Sequence, residues 1–249
     1  MRKYFAPAFA ALFLFGAVAA AEDTPQDVIK RAIKAHGGQA NLERITCDKV
    51  KAQGVMHLGD DDVQFTLENF VQLPAQFKNT VNFTQNDQKR TVVQILNGDK
   101  SSVTVDGQPI QMTAAGDLEI REVMHLERAT RLVPLLTDKA IELALLDETK
   151  VNDQPAYGVK VSMKGHKDVR MYFDKETNLL VKTEHMLEEP KEAKEFKQEE
   201  YYGEFKDLGG GFKRPTRITY YRDGKKWVEA KVIEVKYLEK IPAAEFTKP

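Results

Sequence analysis

Alternating apolar and polar residues dominate most of the chain beyond residue 48, and a period of two predicts β-strands. The alternation is clearest over residues 157–163 and resumes over residues 169–173, after a turn at 165–168. Short alternating segments separated by turns predict consecutive antiparallel pairing. About ten to eleven strands are expected, at residues 49–58, 63–71, 77–83, 91–96, 102–105, 157–163, 169–173, 179–186, 196–206, 216–222 and 226–237.

Two segments have helical spacing instead. Thr24 is a favourable N-cap, Pro25 suits the first helical position, and Gly37 with Gly38 forms a stop signal, so a helix is predicted over residues 25–36. A second helix is predicted over residues 117–133, between two sets of strands. The pattern therefore favours a mainly β fold with some α, in which helices lie on one side of one large curved sheet.

The first 21 residues have the layout of a secretory signal. Two cations, Arg2 and Lys3, precede an apolar run over residues 5–18, and small residues at 17–21 offer an A-x-A cleavage site. The apolar run is shorter than the roughly 20 residues that a bilayer span needs, so a retained membrane anchor is the weaker interpretation. We predict a cleavable signal peptide at 1–21, export to the periplasm without a stable membrane span, and a single β domain over residues 22–249.

Charge gives no indication of a nucleic-acid partner. Without residues 1–21 the chain has 35 basic and 38 acidic residues, a net charge of −3. A basic face is the electrostatic signature of phosphate binding, whereas this near balance indicates a solvated surface. Cys47 is the only cysteine, so it has no partner for an internal disulfide.

The sequence contains no recognisable catalytic or cofactor motif. The five histidines lack the paired spacing of metal ligands, and no histidine partner for Cys47 is identifiable. Neither G-x-S-x-G nor S-x-x-K occurs. We therefore predict no catalytic residues, no metal and no cofactor, which favours a binding protein over an enzyme. A hydrolase with a hidden site is the third hypothesis.

The second half of the chain resembles a known family. The segments at residues 153–161, 171–180 and 202–215, with the closing residues 241–246, are similar to the outer-membrane lipoprotein-sorting (LolA-like) superfamily. This resemblance implies a periplasmic, strongly bent antiparallel sheet that forms an unclosed barrel, with helices covering its concave face. It also implies a role in holding acyl chains or sensing acylated ligands. A concave apolar face with a helical cover is physically suited to that role.

Several apolar residues are candidates for a ligand groove between the sheet and the central helix. Any β domain needs such residues in its core, so ordinary packing is the competing interpretation, and both hold if the core is incompletely filled. The candidate groove residues are Met56, Met163, Val169, Met171 and Phe173 on strands and Val123 and Met124 on the helix.

The leading functional hypothesis is a periplasmic carrier or sensor of an acylated or lipidic ligand, or of a lipoprotein. The alternative is an envelope protein-interaction module, with another envelope protein as its partner, a filled core and no lipid ligand. Size, charge and strand pattern do not separate these two hypotheses, whereas an empty groove in the fold favours the first.

Overall fold

The structure is a computed structural model that describes residues 23–189 and 194–247. The predicted signal peptide lies outside the described residues. Within them, the helices are α1 (Pro25–His36), α2 (Gln39–Glu43), α3 (Ala114–Thr130) and α4 (Pro134–Thr137), and a 3₁₀ helix spans Ala243–Phe246. The strands are β1 (Cys47–Leu58), β2 (Asp61–Gln72), β3 (Gln76–Gln85), β4 (Gln88–Asn97), β5 (Lys100–Val105), β6 (Gln108–Ile110), β7 (Ile141–Val151), β8 (Gln154–Met163), β9 (Val169–Asp174), β10 (Leu180–Glu188), β11 (Glu195–Gly203), β12 (Lys206–Asp207), β13 (Lys213–Arg214), β14 (Arg217–Arg222) and β15 (Lys225–Leu238).

Thirteen of these strands form one antiparallel sheet, in the order β6-β5-β4-β3-β2-β1-β15-β14-β11-β10-β9-β8-β7, and β12 and β13 form a separate ribbon. Two meanders, β1–β6 and β7–β11, are joined through β14 and β15, because β15 pairs with β1 at the centre of the sheet. The edge strands β6 and β7 do not pair with each other. The prediction of a large antiparallel sheet that is not closed into a barrel is therefore confirmed.

Helix α3 lies on the concave face of this sheet. The chain passes from one edge strand, β6, to the other, β7, through α3 and α4. Helix α3 packs against β4 and β5 in one half of the sheet and against β10 in the other half. A helix that contacts both halves must lie inside the curve. It begins three residues earlier than the sequence predicts, because the side chain of Thr113 caps it by accepting a 3.1 Å hydrogen bond from the Gly116 N–H.

Helix α1 has the boundaries that the sequence predicts. The Thr24 hydroxyl accepts a 3.2 Å hydrogen bond from the Asp27 N–H, and the Asp27 carboxylate accepts one of 3.3 Å from the Thr24 N–H, which completes a capping box. Gly37 ends the helix at φ 129°, a conformation that favours glycine. The buried face of α1 packs on β8, β9 and the end of α3 in a cluster that contains Val28, Ile29, Ala32, Ile33, Val159, Val161, Val169, Met171 and Phe173.

Two strands of the sheet, β6 and β7, were not predicted from the sequence. Strand β7 reads IELALLDETKV, which is rich in the strong helix formers Glu, Leu and Ala. Among the described strands it pairs with β8 alone, at the edge of the sheet, and most of its residues are exposed or partly exposed. Pairing with β8 outweighs the helical propensity of this segment. Because an exposed edge strand buries few side chains, its sequence lacks the regular apolar alternation that identifies a strand.

Candidate functional site

A cavity of about 380 Å³ lies between the concave face of the sheet and α3. Its walls come from β1, β2, β3, β10, β11, β14 and β15, and from residues of α3 that face them. Its volume is within the range of small-molecule sites in proteins. The core on this side of the sheet is therefore incompletely filled.

One wall of the cavity is apolar. The inward-facing residues of β1 have inward-facing apolar residues on both neighbouring strands. Ala52, for example, pairs with Val232 on β15 and with Leu67 on β2. Alternation along these strands places most of their polar residues on the outer face, with Asp48, Asn69 and Asn79 as exceptions that line the cavity. The apolar residues of this wall are Val50, Ala52, Met56, Phe65, Leu67, Phe77, Val81, Val228, Val232 and Val235.

The facing wall, formed by β10, β11 and β14, is polar. The Tyr202 hydroxyl donates a 2.9 Å hydrogen bond to Glu200, and the Gln198 amide donates one of 3.1 Å to the other carboxylate oxygen. Thr183 on β10 is 2.9 Å from the Tyr202 hydroxyl. Burial raises the pKa of Glu200 to about 7, although these hydrogen bonds oppose the shift. Glu200 therefore changes charge near neutral pH.

An ion-pair cluster closes the cavity at the C-terminal end of α3. Asp48 on β1 is 0% exposed and lies between two guanidinium groups, 2.8 Å from Arg131 and also in contact with Arg214. Burial disfavours the ionised form of Asp48, but the two guanidinium groups outweigh it and lower its pKa to about 2. Glu127 is 3.6 Å from Arg131. Burial raises the pKa of Glu127.

Arg222 lies against aromatic rings at the other side of the polar wall. Its guanidinium is 3.3 Å from the centre of the Trp227 ring and 4.6 Å from that of Phe196. Glu119 on α3 is 3.7 Å from it, and Glu189 is 3.4 Å away. Burial lowers the pKa of Arg222. The contact with Glu119 links the polar wall to α3.

Several polar atoms in the cavity wall have no hydrogen-bond partner within the described protein. Buried polar groups are almost always paired, with protein, water or a bound molecule. The concentration of unpaired atoms here marks the cavity as a place where polar groups of another molecule, or water, complete the bonding. These atoms are Asp48 Oδ1, Asn69 Oδ1, Asn79 Oδ1, Arg131 Nε, Arg222 Nε and both ring nitrogens of His185.

The seven groove residues predicted from the sequence are not all in the cavity wall. Met56 and Val123 line the cavity. Val169, Met171 and Phe173 belong to the closed cluster beneath α1. Met124 packs against the sheet in another buried cluster, and Met163 lies beside α3, with its sulfur 4.0 Å from Arg128 Nη1. Ligand binding by these residues stays a prediction, which the geometry favours for Met56 and Val123.

Sequence reasoning missed the polar residues of the cavity. Strand β11 reads EFKQEEYYG, so polar side chains occupy both of its faces, and Gln198 and Glu200 point inward. The failure of apolar alternation in this strand was the available signal. Asp48 and Arg131 gave no comparable signal, because they are 83 residues apart in sequence and only the fold brings them together.

A second concavity, of about 730 Å³, lies over β1–β4, β14 and β15. It is more open than the inner cavity, and exposed residues such as Gln53, Thr66 and Lys231 contribute to its lining. An apolar chain placed there would stay in contact with water, so the inner cavity is the better candidate site.

Within residues 23–189 and 194–247, no group of three or more His, Cys, Asp or Glu side chains is arranged to hold a metal ion. Among the described helices, none has the length and apolar character that a membrane crossing requires.

The fold matches several solved structures. A LolA superfamily protein from Nitrosomonas europaea superposes with a TM-score of 0.57 at 14% identity, covering 91% of this chain and 99% of that chain. A DUF1329 family protein from Desulfovibrio piger gives a TM-score of 0.55 at 10% identity, covering 90% and 98%. The chain has a LolA-like fold.

A third solved structure is a domain from Vibrio parahaemolyticus named for outer membrane lipoprotein sorting, with a TM-score of 0.51 at 10% identity, covering 88% of this chain and 97% of that chain. At these identities the likeness concerns the fold alone. No protein-family model matches the sequence, and no curated protein matches it significantly.

Proposed function

We propose that this protein is an exported binding protein that holds an acylated or lipidic molecule in the cavity between its concave sheet and α3. The observation that carries the proposal is the largely apolar wall of β1, β2, β3 and β15, which faces an unfilled space of about 380 Å³. The LolA-like fold and the signal-like residues 1–21 support it. They favour a periplasmic location and a lipidic or lipoprotein ligand.

The energetics of an acyl chain suit this wall. Each methylene removed from water contributes about 0.8 kcal/mol, so a tail of about ten methylenes gains about 8 kcal/mol before association costs. Those costs are at least about 4 kcal/mol, and a tail alone therefore binds weakly. Tight binding needs further contacts, which the polar wall offers to a polar head group.

The proposed role is binding without chemical turnover. Among the described residues that line the cavity there is no serine or cysteine to act as a nucleophile. Two ionisable groups of the lining, Asp48 and Glu200, are held by neighbouring side chains, Asp48 through ion pairs and Glu200 through hydrogen bonds. These groups therefore form a binding site that has an apolar wall and a few polar anchors.

The test is a titration of a fluorescent fatty-acyl probe into the chain without residues 1–21. Leu67→Trp places a large ring in the cavity, because Leu67 is a partly exposed residue of the apolar wall. Thr66→Trp is the matched control, since Thr66 is the neighbouring residue on the opposite, exposed face of β2 and lines the outer concavity. We expect wild type and Thr66→Trp to bind the probe and Leu67→Trp to lose at least about tenfold in affinity.

Two results would contradict the proposal. If the wild type does not bind the probe, the cavity is not an acyl site, and the protein-interaction module becomes the better hypothesis. If Thr66→Trp loses binding and Leu67→Trp retains it, the ligand occupies the outer concavity. Circular dichroism of both variants establishes that each one is folded.

A further inference from the structure

Glu200 is the central acidic group of the polar wall. It is 7% exposed, and its carboxylate accepts hydrogen bonds from Tyr202 and Gln198 on its own strand. It lines the cavity, as do both of those neighbours. Its carboxylate is therefore held in a fixed position that faces the unfilled space.

Glu200 has no ion-pair partner among the described residues, in contrast to the other acids of the cavity. Asp48 is paired with both Arg131 and Arg214. Glu127 is within 3.6 Å of Arg131, and Glu119 is within 3.7 Å of Arg222. The three arginines of the cavity wall are thus already engaged with carboxylates, and an ionised Glu200 leaves an unneutralised negative charge in a buried site.

His185 is an independent indication of a ligand at the same place. It is 5% exposed and lines the cavity, and neither of its ring nitrogens has a hydrogen-bond partner among the described residues. It pairs across strands with Gln198, while Glu200 is two residues further along β11 on the same face. Such diagonal neighbours are about 7 Å apart. Burial lowers the pKa of His185 to about 4, so near neutral pH the ring is uncharged and offers one nitrogen as an acceptor.

The polar and apolar walls are connected along one cross-strand row. Glu200 pairs with Tyr220, Tyr220 with Val228, and Val228 with Met56. Three strand spacings of about 4.8 Å separate the ends of this row, a distance of about 14 Å. A single-chain amphiphile with its head at Glu200 has its tail within reach of the apolar wall.

We propose that Glu200 and His185 form a head-group subsite that selects an amphiphile with a primary ammonium group, an inference that rests on the proposed lipid-binding function. An ammonium carries the missing positive charge and three N–H donors. Glu200 and His185 supply the acceptors, and charge-assisted hydrogen bonds of this kind are the stronger ones in proteins. A neutral hydroxyl head group donates one hydrogen bond and carries no positive charge, and an anionic head group is repelled by Glu200.

The subsite responds to pH because Glu200 changes charge near neutrality. Below about pH 7 its carboxyl is largely protonated, since burial raises its pKa to about 7, and the attraction to an ammonium weakens. Above that value the carboxylate is charged and attraction is complete. The other titratable or charged groups that line this part of the cavity are Glu119, Glu127 and Arg131 at α3, His185 on β10, Tyr202 on β11, and Tyr220 and Arg222 on β14.

The experiment compares dodecylamine, dodecanol and dodecanoic acid, which have equal tails, by displacement of the fluorescent acyl probe at about pH 8. For the wild type we expect dodecylamine to bind about tenfold or more tightly than dodecanol, and dodecanoic acid to bind most weakly. Glu200→Gln should abolish the preference for the amine, so that dodecylamine binds no more tightly than dodecanol. Glu199→Gln is the matched control, because Glu199 is the adjacent residue on the opposite face, paired with Lys182 and Lys197.

A second measurement needs no variant. The preference of the wild type for dodecylamine over dodecanol should shrink as the pH falls from about 8 to about 6. Equal affinities for the three compounds, a preference that survives in Glu200→Gln, or a preference independent of pH would overturn the head-group subsite while leaving the lipid-binding function in place. If none of the compounds displaces the probe and the probe itself does not bind, the proposed function fails first.

Discussion

Arg131 Nη1 lies 2.8 Å from Asp48 Oδ2. This ion pair connects the residue that caps the C-terminal end of α3 to the beginning of β1, where Asp48 is fully buried. Arg214, which precedes β14, contacts the same oxygen. The helix that covers the concave face is thereby held to the centre of the sheet, and the cavity has a closed end.

Removal of the charge of Asp48 should destabilise the protein strongly. Asp48→Asn leaves the partly buried guanidinium of Arg214 without its counter-ion and that of Arg131 with Glu127 alone, which costs about 3 kcal/mol or more in the free energy of unfolding. Urea denaturation at about pH 7 measures this cost. Asp23→Asn is the control, because Asp23 forms an ion pair with Arg31 at the surface, and such pairs contribute little. Similar losses in both variants would show that the buried pair has no special role.

Acid should destabilise the fold over the pH range in which buried histidines become protonated. Burial lowers the pKa of His125 to about 4, below its ordinary value of 6.5, so the folded protein holds the ring neutral where the unfolded chain protonates it. The neutral ring of His125 therefore contributes about 3 kcal/mol to the free energy of unfolding above about pH 6.5. This contribution is lost as the pH falls from about 6.5 to about 4. His125→Phe keeps the stacking position beside His166 and should flatten this part of the pH profile.

The free energy of unfolding measured by urea at several pH values tests this prediction. His57→Phe serves as the comparison, because His57 is a partly exposed residue on β1, away from α3. If wild type and His125→Phe lose equal stability between about pH 6.5 and about pH 4, protonation of His125 does not govern the loss.

Two methionines that the sequence nominated for the groove should behave differently. Met171 is 0% exposed within the closed cluster under α1, so Met171→Asp buries a carboxylate in solid core and should cost more than about 4 kcal/mol, enough to prevent folding. Met56 is partly exposed in the cavity wall, so Met56→Asp should leave a folded protein that no longer binds the acyl probe. Circular dichroism and the probe titration separate the two outcomes; a folded Met171→Asp that loses the probe would restore Met171 to the site.

The sequence predicted the elements whose signals are local. Thr24, Pro25 and Gly37 define α1 through capping and backbone preferences of their own, and alternation over residues 157–163 and 169–173 defines β8 and β9. Those patterns indicate which face of a strand is buried. They do not distinguish a face buried against a helix from a face that borders a cavity, which is why Met171 and Met56 carried the same prediction.

The polar half of the site depends on distant pairing. In the sequence Glu200 resembles a surface residue, because it lies in an acidic segment. Its inward-facing position follows from the register of β11 against β10 and β14. The charge that it carries is tolerable there because the fold leaves unfilled space and hydrogen-bond donors beside it. No periodicity in a single segment contains that information, since it arises from three strands and a helix together.

Native mass spectrometry of the protein purified from the envelope of its own organism tests the central claim most directly. We predict a reproducible bound molecule of lipidic mass on the wild type and on Thr66→Trp, and its absence from Leu67→Trp, in which the inner cavity is filled. Spectra that show only the bare chain for the wild type, or an equal bound mass on Leu67→Trp, would contradict the assignment of this cavity as a lipid site.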